Sequence, residues 1–316
     1  MSLFLLKRLA TLAATLLATS IVVFVVLEIL PGDAAQMMTG PDASPEAVAA
    51  LRAKLGLDRP ALERYLAWLA GLATGELGTS HAYGSPVAGL IAERLALTVP
   101  LAILAMSLTA VLALAAGVYA ASRHGRLGDV GLMGLTQVGI AIPNFWFAIL
   151  LILAFAVHLR WFSAGGFPGW GAGAGPALKA LVLPAVSLAV VQAAILARIT
   201  RSAVLDVLRE DFVRTARAKG LGRRAVLWGH VLRNAMIPVL TVMGLQFATL
   251  LAGTIVVETV FYLPGLGRLI FQSISNRDLV VVRNCVMLLA AMVVVVNFVV
   301  DVLYAVVDPR LKPADA

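Results

Sequence analysis

The chain has 316 residues, of which 61% are hydrophobic and 13% charged. Soluble domains average about 45–50% apolar and about 25% charged residues, so an ordinary soluble fold is excluded. The net charge of +8 lies in clusters between long apolar blocks, a placement that fits the faces of a membrane and not a nucleic-acid surface.

A helix needs about 20 apolar residues to cross a hydrocarbon core about 30 Å thick, and six blocks meet or approach that length. The first, Leu9 to Leu27, is free of charge and follows Lys7-Arg8. With Asp33-Ala34-Ala35 beyond it, the start also has the outline of a cleavable signal peptide. A signal's apolar region, however, runs about 7–15 residues, and this one is longer.

The next stretch, Pro31 to Arg94, is mixed, with acids slightly outnumbering bases. Pro41, Asp42 and Pro45 mark a turn. Pro45 to Leu55 and Pro60 to Leu72 read as short amphipathic helices, and Gly71, Gly75, Gly78 and Gly84 interrupt the remainder of the stretch. A connector this long is usually functional or disordered, and its helical patterns predict a folded cap.

The second block, Leu95 to Ser122, is followed by Arg123 and Arg126, and the third, Val130 to Leu159, is interrupted by Pro143-Asn144. Trp161, Phe162, Phe167 and Trp170 then alternate with glycines, the pattern of an interfacial aromatic belt. The run Gly171 to Gly175 lacks the Gly-Lys-Ser/Thr ending of a phosphate-binding loop, and no such motif occurs in the chain. Ala180 to Ala197, Asn234 to Val257 and Asn284 to Val300 complete the set. Backbone in lipid must satisfy its own hydrogen bonds, so these blocks are predicted helices. A membrane barrel would instead show alternating segments of about ten residues.

Charge orients the blocks. Arg198, Arg201, Arg209, Arg214, Arg217, Lys219, Arg223, Arg224 and Arg233 lie between the fourth and fifth, opposed by Asp206, Glu210 and Asp211. The positive-inside rule places this loop, the loop after the second block and both termini in the cytoplasm. The expected fold is therefore an all-α polytopic membrane protein with six transmembrane helices, both termini cytoplasmic, and an extracytoplasmic segment between helices 1 and 2. It divides into residues 1–94, a five-helix core over 95–307 carrying the loop 198–233, and a tail over 308–316.

Within that loop Leu205, Leu208, Phe212 and Thr215 recur at helical spacing. Gly220 and Gly222 break the helix, and Arg223 to Arg233 resumes it, predicting two helices on the inner membrane face joined by a tight turn. On residue physics alone, this is equally a basic linker attracted to anionic lipid or a docking element.

The residues Arg214-Thr215-Ala216-Arg217-Ala218-Lys219-Gly220, with Leu232 twelve positions past the glycine, resemble the EAA loop of ABC import permeases. The departures from the general pattern (Arg214-Thr215 for Glu-Ala, His230 for Ile, Arg233 for Pro) are similar to the dipeptide and oligopeptide branch, as are Leu232-Arg233-Asn234 and Ile237-Pro238. Leu30-Pro31-Gly32-Asp33, Gly75-Glu76-Leu77-Gly78-Thr79-Ser80, Glu258-Thr259-Val260-Phe261 with Pro264-Gly265-Leu266-Gly267, and Asp308-Pro309-Arg310 resemble further motifs of that branch in order. Leu279-Val280-Val281-Val282-Arg283 departs from its usual Tyr-Pro-Val-Val-Gln.

The resemblance implies a type I importer permease fold and a non-catalytic B-type subunit in a bacterial inner membrane. It implies a coupling segment formed by Arg214, Thr215, Ala216, Arg217, Ala218, Lys219, Gly220, Leu221, Gly222, Arg223 and Arg224. The implied partners are a second homologous permease, two ATP-binding subunits that hold ATP and magnesium, and an extracytoplasmic substrate-binding protein. This chain itself would hold no cofactor. Small Ala216 and Ala218 are expected to let a partner approach, with Gly220 supplying a positive-φ turn. Peptides are the expected substrate, with nickel, glutathione or oligosaccharides as alternatives within the branch.

Polar groups inside membrane helices tend to face a bundle interior or a pathway. Gln137, Asn144, Gln192, Gln246 and Asn297 are the pore-lining candidates, against interhelical hydrogen bonding as the plainer reading. Asp301 lies near the inner end of the last block. Pro143, Pro184 and Pro238 are expected to kink their helices. His81, His124, His158 and His230 are scattered and show no metal-ligand spacing. The rival class, a self-sufficient secondary transporter, needs intramembrane ionisable couplers and usually internal repeats; the sequence shows neither a convincing repeat nor a buried carboxylate pair.

Overall fold

The computed structural model describes residues 2–29, 34–39, 43–54 and 56–307. The motifs Leu30-Pro31-Gly32-Asp33 and Asp308-Pro309-Arg310, and the tail 308–316, lie outside the described residues. Among the described residues every regular element is helical, apart from one isolated bridge between Thr79 and Pro86.

The helices are α1 (Ser2–Ile29), α2 (Ala34–Thr39), α3 (Pro45–Lys54), α4 (Ala61–Thr74), α5 (Val87–Ser122), α6 (Leu127–Ala141) and α7 (Asn144–Leu151). After them come α8 (Ala174–Val207), α9 (Asp211–Ala218), α10 (Arg223–Val226), α11 (Leu232–Val260), α12 (Leu266–Ser275) and α13 (Leu279–Val307). Among the described residues five helical runs are long and apolar enough to cross a membrane: Leu6–Ile29, Val87–Ser122, Ala174–Val207, Arg223–Val260 and Leu279–Val302.

The third block differs from a simple span. It is two helical pieces, Leu127–Ala141 and Asn144–His158, bent by 101° at their junction. Ile142 and Pro143 are extended there, with ψ 123 and 135, because proline has no N–H to give and disfavours the α conformation in the residue before it. Ile152–His158 is wound as a π-helix. Each piece is about 22 Å long, so neither alone covers a core of about 30 Å. By contrast α8 and α11 remain helical through Pro184 and Pro238.

The chain forms two compact units. One comprises Thr98–Pro264 with the end of α13 from Val295; the other comprises Ser2–Leu97 with Gly265–Val294.

In the first unit α8 is the hub, packing against α6, α7 and α11. Glycine makes the approach of neighbouring helices possible. A Cβ on Gly117 of α5 would lie 2.6 Å from Thr200 Cβ and 2.7 Å from the Ala197 carbonyl oxygen of α8. Membrane helices associate through such close backbone contact, since burial of apolar surface gains little in lipid. The apolar core around α8 includes Ala113, Val118, Leu196 and Val204, and extends to Val213, Val226, Val231 and Val239.

In the second unit α4 packs against α1 and α13. Val23 and Phe24 of α1 pack with Trp68 of α4 and Met287 of α13. The Tyr65 hydroxyl lies 2.8 Å from Ser20 Oγ, and Arg64 pairs with Glu28. Trp68 Nε1 donates to Asn284 Oδ1 at 2.9 Å, while Asn284 Nδ2 donates to the Leu77 carbonyl at 2.9 Å. Asp278 accepts from Ser80 Oγ at 2.5 Å and from the N–H groups of Ala82 and Val281 at 3.1 and 3.2 Å. At the sequence departure 279–283, the Arg283 guanidinium sits 4.9 Å from the centre of the Trp68 ring.

Candidate functional site: the 198–233 segment and the α6–α8 groove

Helix α8 ends at Val207, and the chain turns through Leu208 to an extended Glu210 (φ −69, ψ 148) before α9 begins at Asp211. This break resets the helical phase, so the stripe through Leu205, Leu208, Phe212 and Thr215 does not form one face. The inward face of α9 is Val213 and Ala216, 0% and 6% exposed, packed in the core around α8. Phe212 and Thr215 are exposed, as are Arg214, Arg217, Ala218 and Lys219. Ala216 therefore packs against its own chain, and the expectation that its small size admits a partner is corrected; Ala218 alone of the two alanines is accessible.

Gly220 closes the helix with φ +83. Its N–H donates to the Arg217 carbonyl at 3.0 Å, and the Leu221 N–H reaches the Ala216 carbonyl at 3.3 Å. The left-handed conformation satisfies the last carbonyls and carries little steric penalty for glycine. Gly222 has φ −65 and ψ 154, ordinary extended backbone.

The second predicted helix is not a separate surface element. From Arg223 the chain runs helically to Val260, through a π-helical turn at Leu227–Val231. Neither Gly229 nor Pro238 interrupts it, and the widened turn around Gly229 is π-helical. Leu221, Arg223 and Arg224 are exposed at the start of this run, and Trp228 is 64% exposed beside them.

The same end of α8 borders an open groove of about 710 Å³ against α6. Its walls include Val130, Met133, Ile140, Ile195 and Ile199, and its polar groups are Asp129, Gln137, Arg198, Arg201 and Ser202. Asp129, 2% exposed, binds Arg201 in bidentate fashion, with Nε at 2.6 Å and Nη2 at 2.7 Å, and also accepts the Gly125 N–H at 2.9 Å. His124 Nδ1 lies 3.0 Å from Arg201 Nη2. Arg198 Nη1 donates to Gln137 Oε1 at 3.1 Å.

Of the pore candidates only Gln137 lines this groove. Gln192 and Gln246 form a separate buried pair, with Gln246 Nε2 donating to the Gln192 carbonyl at 3.0 Å. Gln246 Oε1 is buried with no hydrogen-bond partner. Asn144 is half-buried at the start of α7, its Nδ2 3.5 Å from where a Cβ on Gly253 would stand. Asn297 is half-buried in α13.

Two buried acids of the first unit, Asp129 and Glu258, have partners that the sequence does not reveal. Asp129 is hidden among basic neighbours whose only sequence signal is orientation. Glu258 is 0% exposed and accepts the Thr98 hydroxyl at 2.7 Å. It ends a long apolar stretch and opens the motif Glu258-Thr259-Val260-Phe261.

Comparison with known proteins identifies the family of the chain. The family described as "Binding-protein-dependent transport system inner membrane component" matches residues 113–313, and its N-terminal companion region matches residues 1–102. A putative peptide transport system permease of Brucella abortus (strain 2308) is 41% identical over 319 residues, covering 99% of each chain. A di/tripeptide transport system permease of Pseudomonas aeruginosa (strain UCBPP-PA14) is 39% identical over 98% of each chain. A glutathione transport system permease of Escherichia coli O6:H1 is 40% identical over 98% of each. Among solved structures, a chain of the inward-facing MetNI methionine ABC transporter superposes with a TM-score of 0.57 at 18% identity, covering 69% of this chain and 96% of that one. The chain belongs to the binding-protein-dependent ABC import permeases, as a multi-pass membrane subunit.

Proposed function

We propose that this family member forms half of the pore of a bacterial inner-membrane peptide importer, and that α9 is its docking element for an ATP-hydrolysing partner. The observation that carries the reading is the construction of α9. Val213 and Ala216 lock it to the ends of the spanning helices, and Gly220 fixes its exit. Arg214, Arg217, Ala218 and Lys219 are left facing outward. A helix so anchored transmits displacement in either direction.

The assembly would contain a second homologous permease, two ATP-binding subunits holding ATP and magnesium, and an extracytoplasmic binding protein. Closure of the ATPases would move α9 and shift the pore between inward- and outward-open states, the nucleotide favouring whichever state it binds more tightly. Basic clusters after α5 and α8 support a cytoplasmic side for both loops and both termini. In this arrangement α6, α7 and the π turn make one broken crossing, giving six spans. Relatives named for peptide and di/tripeptide transport support a peptide substrate; the glutathione-transport relative supports a modified tripeptide as the second reading.

The test is uptake in proteoliposomes of the co-purified complex. A labelled di- or tripeptide should accumulate only with ATP and binding protein present. Uptake that continues without ATP and depends on an imposed ion gradient would identify a secondary transporter instead.

A further inference from the structure

We propose that the α6–α8 groove is a subsite for the C-terminal carboxylate of the translocated peptide, with Arg198 as its receptor; this rests on the peptide-importer reading above. Charge balance comes first. The groove holds two guanidinium groups and one carboxylate, and Asp129 is committed to Arg201 by two short hydrogen bonds. Arg198 is bonded through one nitrogen to a neutral amide, Gln137. One positive charge is left without a counter-ion, and a guanidinium edge is geometrically suited to a carboxylate.

The direction of Arg198 is the second observation. The pairs Arg201–Asp129 and Arg198–Gln137 show α6 and α8 running antiparallel. Gln137 lies about 12 Å along α6 from Asp129, whereas Arg198 lies about 4.5 Å along α8 from Arg201. The two guanidinium heads therefore splay apart, Arg201 toward Asp129 and Arg198 toward the Gln137 end of the groove. An arginine facing lipid snorkels to the nearest aqueous boundary. Arg198 is exposed beside an open groove and bonded across it to Gln137, where its charge can be reached from a wet path. The apolar walls around Met133 and Ile195 suit the terminal side chains of a short peptide, whose invariant anion is its carboxylate.

The assembled importer in proteoliposomes tests this with a radiolabelled tripeptide ending in the photoreactive residue p-benzoylphenylalanine, irradiated without nucleotide. Adducts are expected on Met133 and neighbouring groove residues. Arg198→Gln should lower their yield about tenfold, and Arg198→Lys should keep most of it. The same photoreactive residue at the peptide's N-terminus should mark the groove far less. Adducts elsewhere, or a yield indifferent to Arg198→Gln, overturn the subsite while uptake of the peptide leaves the importer reading standing. A groove adduct that disappears when phosphatidylglycerol replaces phosphatidylcholine in the vesicles assigns the groove to anionic lipid and also overturns it. A wild-type complex that imports another solute and no peptide removes both readings.

Discussion

Gly117 of α5 and Thr200 of α8 stand so close that a methyl group on the glycine would meet Thr200 Cβ at 2.6 Å. The contact is backbone against backbone as well, since the Ala197 carbonyl lies at 2.7 Å from the same point. Gly117→Val should therefore force α5 and α8 apart and destabilise the subunit by about 1–3 kcal/mol, the usual range for overpacking. Gly131→Ala on α6, where an added Cβ meets nothing within 4 Å, should be neutral or slightly stabilising. Thermal unfolding in detergent separates the two; equal midpoints would remove the glycine contact as a determinant of packing.

The Asp129–Arg201 pair ties the start of α6 to α8. Because Asp129 is almost wholly buried while Arg201 is partly open, losing the carboxylate leaves a half-solvated cation and losing the arginine leaves a buried anion. Arg201→Gln should accordingly cost more stability than Asp129→Asn. The double variant should recover part of the loss, with a coupling energy of about 0.5–3 kcal/mol. Strict additivity in the cycle would show that the bidentate geometry contributes nothing.

How much is legible in the sequence depends on the strength of each physical signal. Apolar blocks longer than about 18 residues admit few structures, so the spanning helices are legible, and so are α3 and α4 from their turn residues. The break at Pro143 is visible as an interruption, while its 101° size depends on what each half packs against. The inward face of α9 is misassigned by periodicity, which assumes one helix, whereas the turn at Leu208–Glu210 shifts the phase. Pairings such as Arg201–Asp129 and Trp68–Asn284, 72 and 216 residues apart, leave no local trace at all.

Asn284 of α13 joins α4 and the segment after it. It accepts from Trp68 and donates to the carbonyl oxygens of Leu77 and Val280. Asn284→Leu keeps the volume but leaves the Trp68 N–H and the Leu77 carbonyl without their partner, costing about 1–3 kcal/mol for the buried Trp68 N–H and less for the partly buried carbonyl. Limited proteolysis should then cut between α1 and α5 at protease levels that spare the parent protein. Unchanged protection would mean that the aromatic packing of Phe24, Tyr65 and Trp68 suffices to hold the segment.

The two faces of α9 should respond differently to substitution. Ala216 is buried among Val204, Val226 and Val231, so Ala216→Trp should fail by overpacking. It should lower the yield of folded subunit and its thermal midpoint, with or without partners. Ala218 is exposed on the outer face, so Ala218→Trp should leave stability within about 0.5 kcal/mol of the parent, as surface substitutions usually do. It should nevertheless block a partner that approaches the charged face. Gly220→Val acts in a third way: the side chain meets no neighbour, but φ +83 disfavours a β-branched residue by about 1–2 kcal/mol. The helix exit should then be redirected while the spans stay inserted. Co-purification of the ATP-binding subunits and substrate-stimulated ATP hydrolysis in proteoliposomes distinguish these outcomes. Ala218→Trp that retains the ATPase and full stimulated turnover would show α9 to be a lipid-facing linker.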